Sequence, residues 1–322
     1  MKARRLTWSA VAVVVGFGCV AASACSARPS AARPSVSLSR PAASSAGPPA
    51  THAVAAGVGS VLGVVSTNVA EFEKATGVHV NLEARYLSWG TGLPLQLLAG
   101  MESSGIVPLV EIEPRGVSLQ AIAGGSQDAY IKELADDAKS LRGKLYLSFA
   151  PEMNGNWYSW GSEPALFVRA WRHVVSVFRA AKASNVSWVW IVHHVKPNAA
   201  PLLRSYWPGT GWVTWVGVDG YYEHPYESFQ SMFAPSLAEM HKITNDPVLI
   251  TETSVGPLAE NVPAKIANLF NSVRRFGLLG LVWFDIEQAD PPVHQNWNLE
   301  SRPAALSAFR SAVKRDFSNL AG

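Results

Sequence analysis

Residues 145–161 read LYLSFAPEMNGNWYSWG, and the first five of them decide the fold class. Leu145, Leu147 and Phe149 alternate with Tyr146 and Ser148 in a tract apolar enough to be buried on both faces, the pattern of a strand inside a parallel sheet. Parallel neighbours need crossover helices, and the flanks supply them. Upstream, Ile131, Leu134, Ala138 and Leu141 recur at spacings near three and four. Downstream, Phe167, Trp171, Val174 and Phe178 form a second stripe, opposed by Arg169, Arg172 and Arg179 on the solvent side.

The same alternation continues in both directions. Strands are expected at Ser60–Ser66, Val80–Tyr86, Ile106–Ile112, Val186–Val192, Thr214–Val218 and Leu278–Phe284, with a further one inside the run PVLITETSVG at Pro247–Gly256. Helices are expected at Asn68–Thr76, closed by Gly77, and at Leu95–Met101, Glu227–Ile243, Ala264–Phe276 and Ala304–Lys314. Eight βα units at this spacing predict a single (β/α)8 TIM barrel over residues 57–322, an α/β fold.

Side chains at the C-terminal ends of barrel strands point into the mouth, where chemistry is done. Two apolar runs deliver a glutamate there: Glu152 after LYLSFAP and Glu252 in PVLITETSVG. They lie 100 positions apart, and at about 31 residues per βα unit this places them on strands 4 and 7. Paired carboxyls suit glycoside hydrolysis, in which one is held protonated as general acid and the other ionised as nucleophile or base. Trp157, Tyr158 and Trp160 offer flat apolar faces with polar edges that fit a pyranose ring, and Asn154 and Asn156 offer amide hydrogen bonds. Tyr86 and Trp89 follow strand 2 as candidate sugar contacts, and Glu113 ends strand 3, free either to bind sugar hydroxyls or to pair with Arg115.

The PEMNGNWYSWG, VGVDGYY and PVLITETSVG runs together resemble glycoside hydrolase family 26, of the large clan of retaining (β/α)8 glycosidases. The resemblance covers most of residues 58–315. It implies Glu152 as general acid/base and Glu252 as nucleophile, with Asp219 and Tyr221 as an Asp-x-Tyr pair whose tyrosine hydrogen-bonds the nucleophile. It also implies Trp283, in LGLVWFD, as the platform beneath the sugar being cleaved. Where the family often has His directly before the acid/base glutamate, this chain has Pro151. The resemblance implies a retaining endo-β-glycanase acting on β-1,4-mannan-type polysaccharide, with mixed-linkage β-glucan or β-xylan as alternative substrates. A non-catalytic carbohydrate-binding lipoprotein is the rival from another class. For a retaining mechanism the two carboxyls should stand about 5 Å apart.

The remaining features place the barrel and exclude other classes. MKARRLTW leads into the apolar stretch Ala10–Ala22, closed by Ala22-Ser23-Ala24, so residues 1–25 read as a secretory signal peptide, with Cys25 as a possible lipid anchor. Residues 26–56 are dominated by Ala, Ser, Pro and Arg and read as a flexible tether. A secreted or surface-tethered monomer is expected. A net charge of +3, with no cluster of basic residues interleaved with aromatics, argues against nucleic-acid binding. There is no glycine-rich phosphate cradle or Gly-x-Ser-x-Gly elbow, so no cofactor is expected. His193 and His194 are adjacent on a strand and point to opposite faces, so no metal is expected; one of them is placed to touch substrate.

Overall fold

The computed structural model describes residues 57–288 and 295–318; the expected signal peptide, Cys25 and the tether lie outside them. Eight parallel strands close a barrel in chain order: β1 (Val61–Ser66), β2 (Leu82–Ser88), β3 (Val107–Glu113), β4 (Leu145–Phe149), β5 (Val186–His193), β6 (Trp215–Asp219), β7 (Val248–Thr253) and β8 (Gly280–Asp285), with β8 pairing back onto β1. Nine α-helices are assigned among the described residues: α1 (Val69–Thr76), α2 (Leu95–Ser103), α3 (Leu119–Ala123), α4 (Asp128–Ser140), α5 (Pro164–Ala180), α6 (Phe229–Met232), α7 (Ala234–Ile243), α8 (Val262–Arg275) and α9 (Pro303–Asp316).

The barrel separates two apolar cores, and strand parity decides which residue enters which. Inward positions such as Val61, Leu82, Leu109, Tyr146, Ile191, Trp215, Leu249 and Val282 fill the lumen. Tyr146 and Trp215 stack there at 4.0 Å and 19°. Outward positions such as Leu147, Phe149, Trp190, Ile250 and Trp283 pack beneath the helices, against Trp171, Phe178, Phe270 and Phe309. The α5 stripe seen in the sequence is buried as expected: Phe167, Trp171, Val174 and Phe178 all face inward.

Local chemistry explains where the elements start and stop. Asn68 accepts the N–H of Glu71 to open α1, and Gly77, in the left-handed region, ends it. The single helix expected over Glu227–Ile243 is two. Ser228 and Ser231 form a reciprocal cap that starts α6, and Pro235, which has no N–H to donate, lies in the first turn of a new helix. β2 begins two residues later than its hydrophobic pattern suggested and runs on to Ser88, which carries Tyr86 into the wall of the barrel. Short 3-10 segments at Pro197–Tyr206 and Pro257–Ala259, and a small antiparallel pair, β9 (Glu287–Gln288) with β10 (Gln295–Asn296), had no periodic signal to reveal them.

Candidate active site

Glu252 is placed by strand register with one irregularity. Along β6 and β7 the pairing runs Gly217 to Leu249 and Val218 to Ile250, then jumps to Asp219 opposite Glu252, leaving Thr251 as an extra residue. On the other edge three steps of β7 span two of β8. This bulge re-phases the strand: Ile250 faces the helices, yet Glu252 turns to the lumen instead of following the same outward parity. Gly217 makes the room, since a Cβ there would meet Thr251 Oγ1 at 2.6 Å and Ile191 Cγ1 at 2.7 Å.

Each oxygen of Glu252 has one tyrosine donor. Tyr221 OH donates to Oε2 and Tyr86 OH donates to Oε1. The bond from Tyr221 is the one the motif resemblance implied, whereas Tyr86, expected to touch sugar, holds the carboxylate. Burial, opposed by the two phenolic hydroxyls and reinforced by the charges of Glu152 and Glu113, leaves Glu252 raised to about 7. A wall of Tyr221, Phe284 and Trp297, with ring centroids 5.3–6.5 Å apart, stands beside it.

Two further carboxyls lie beneath. Asp219 is buried, pairs in register with Glu252, and accepts from Thr251 Oγ1 at 2.6 Å. Glu111 sits on β3 opposite Tyr86 and Ser148 and is 1% exposed. Burial, and then the negative charge of Glu252, holds both well above the usual carboxylate range. The sequence reading missed Glu111. Its signal was an acid at inward parity within the otherwise apolar run VPLVEI.

Glu152 is placed differently. It lies three residues beyond the end of β4, and both Ala150 (φ 51°) and Glu152 (φ 53°) are in the left-handed region. For residues with a Cβ this costs on the order of 1–3 kcal/mol each and persists only where the surroundings enforce it. Here Ala150 N–H bonds to Ile112 of β3 and Glu152 N–H to Ile191 of β5, so the chain stays sewn to both neighbours while it turns. The carboxylate meets His193 Nδ1 at 2.8 Å through Oε1 and the indole N–H of Trp157 at 3.0 Å through Oε2. Trp157 lies edge-on to His193 and directly over Gly155, where a Cβ would come within 2.4–2.5 Å of the indole.

Three residues expected at the sugar have other work. Trp283 is fully buried at outward parity, packed edge-on against Phe309 of α9 at 5.1 Å, so the barrel wall separates it from the mouth. Trp160 is buried too: it stacks on Tyr158 at 4.2 Å and donates to the Pro151 carbonyl at 2.7 Å, which closes the loop that carries Glu152. Glu113 gives both oxygens to Arg115, each at 2.9 Å, and the guanidinium in turn lies over the rings of Tyr158 and Trp160. Among the described residues no cluster of His, Cys, Asp and Glu is arranged to hold a metal ion.

The comparisons agree with the motifs. The model of glycosyl hydrolase family 26 matches residues 118–262. Endoglucanase H of Acetivibrio thermocellus is 26% identical over 273 residues, 78% of this chain and 29% of that protein. The β-1,3-xylanase TXYA of a Vibrio species is 30% identical over 173 residues, 51% of this chain and 36% of its own. The chain thus spans about a third of the length of these curated relatives. Among solved structures, the modular endo-β-1,4-mannanase of Cellulomonas fimi superposes with a TM-score of 0.62, covering 76% of this chain and 65% of that one at 16% identity, which establishes likeness of fold.

Proposed function

The chain is similar to glycosyl hydrolase family 26, and from that premise we propose that it is a retaining endo-β-glycanase in which Glu252 is the nucleophile and Glu152 the acid/base. The observation that carries this reading is the contrast in donors. A carboxylate held by two tyrosine hydroxyls at the end of β7 is fixed in place, and both donors favour the charged form that attacks. A second carboxylate lies after β4 against an imidazole and an indole, contacts that a substrate can exchange. In the first step Glu252 bonds to the anomeric carbon as Glu152 protonates the departing oxygen; in the second, water loses a proton to Glu152 and displaces Glu252.

β-1,4-Mannan is the first substrate proposed, supported by the family resemblance and by the fold shared with the Cellulomonas fimi mannanase. A second reading, β-glucan or β-xylan, is favoured by a relative that matches 78% of the chain, an endoglucanase, and by Pro151 in place of the family's usual histidine. Reducing-sugar release from mannan, glucomannan, mixed-linkage glucan and β-xylan decides between them. The anomeric configuration of the first product, followed by proton NMR, tests retention; an inverted product would remove the covalent step. Export and anchoring rest on the basic-apolar start and on Cys25 after small residues. A Cys25→Ala variant that still partitions with membranes would overturn the anchor.

A further inference from the structure

Both oxygens of Glu152 are occupied, yet an acid/base must present one of them to the glycosidic oxygen. The two contacts differ in what fixes them. His193 ends β5, in register with Asp219, and Asn154 clamps its backbone at two points: Asn154 Oδ1 accepts the His193 N–H at 2.9 Å, and Asn154 Nδ2 donates to the His193 carbonyl at 2.8 Å. Trp157 belongs to a partly exposed run of turns and is held through its side chain by Glu152 alone among the hydrogen bonds of the described residues. The indole is therefore the contact that can be released.

We propose that His193 is the positioning residue of the acid/base, fixing Oε1 through Nδ1, and that Oε2 is the oxygen that exchanges the proton, capped by Trp157 Nε1 until a sugar ring displaces the indole. As the bond from the anomeric carbon to the leaving oxygen breaks, its electron pair stays on that oxygen, which takes the proton from Oε2. Water later returns a proton to Oε2 while its oxygen forms the new bond to the anomeric carbon and the ester to Glu252 breaks. The groups facing His193 are Glu152 on the β4 loop, Asp219 at the end of β6, Glu223 just beyond it, and His194, whose ring lies 4.3 Å away. Burial holds His194 down to about 3, so it stays neutral.

The inference rests on the role given to Glu152, and the test separates the two. His193→Ala, His193→Asn and Glu152→Ala are assayed on the polysaccharide and on a 2,4-dinitrophenyl glycoside, whose leaving group departs without a proton. His193→Ala should lower kcat/KM on the polysaccharide about 10-fold, the worth of one hydrogen bond to a charged group. It should also move the alkaline limb of the pH profile upward, because the carboxylate loses a donor that favours its charged form, and leave kcat/KM for the dinitrophenyl glycoside, which reports the first step alone, near wild type. His193→Asn, which offers an N–H near the position of Nδ1, should recover most of the loss. Equal loss on both substrates with an unmoved limb, or no loss on either, overturns the positioning role. If Glu152→Ala keeps polysaccharide activity, the acid/base assignment itself falls, whatever His193 does.

Discussion

Glu252 and Glu152 are both carboxylates at the mouth of one barrel, but the fold holds them by different means. Glu252 is part of a strand: register, a bulge and a glycine across the sheet aim it, and two phenolic hydroxyls from β2 and from the end of β6 fix its oxygens. Glu152 is off its strand, in a strained turn, and its partners are one ring from β5 and one from its own loop. The group proposed to attack from one fixed point is built into the sheet. The group proposed to change protonation twice per turnover is hung beside it, where a contact can be exchanged.

Substitution breaks this contrast most severely at Glu252. Glu252→Ala should abolish turnover of polysaccharide and dinitrophenyl glycoside alike, since no nucleophile remains for either; surviving hydrolysis on either would place the nucleophile elsewhere. Glu152→Gln should lower kcat/KM about 10²–10⁴-fold on the polysaccharide and far less on the activated glycoside, as expected for loss of general acid catalysis in the first step. Equal losses on the two would erase the distinction between the carboxylates.

Smaller effects sharpen the contrast. Tyr86→Phe and Tyr221→Phe should each lower kcat/KM about 10- to 100-fold by deleting one hydrogen bond to a charged group. As the proposed nucleophile Glu252 attacks in its ionised form, so with burial holding it up to about 7 the rate should fall as pH drops through that region. Either tyrosine variant removes a donor that favours the charged form, so the acidic limb should shift to higher pH. A limb that stays put would mean that another group sets it. The smallest catalytic effect is expected at Trp283→Phe, which should lower the thermal midpoint while leaving kcat/KM unchanged. A selective rise in KM would return Trp283 to the sugar site.

Much of this was legible in the sequence, and the failures share a cause. The barrel, its eight strands and the two glutamates were readable because apolar runs in parallel sheets are short, bounded and regularly spaced. The same property hides parity: LGLVWFD is apolar at every position a sheet could bury, so nothing in it says whether Trp283 or its neighbours Val282 and Phe284 face the lumen. Tyr86 was visible as an aromatic after a strand, but its bond to Glu252 joins residues 166 positions apart and leaves no local trace. The bulge at Thr251 is likewise a property of two strands at once. Trp297, beside Tyr221, stands in a segment with neither helical nor strand periodicity.

The chain of contacts from Glu113 through Arg115 to Tyr158 and Trp160 ties the loop after β3 to the loop after β4. In loop-grafting terms the two are a single cassette. Transplanting the tryptophan-rich segment into another barrel without its arginine would strip the guanidinium from its rings and give them nothing in return. Transplanting the arginine without the glutamate would bring a cation with no counter-ion. Recombination among barrels of this kind, natural or directed, should therefore keep crossover points outside residues 113–161 and exchange that span whole.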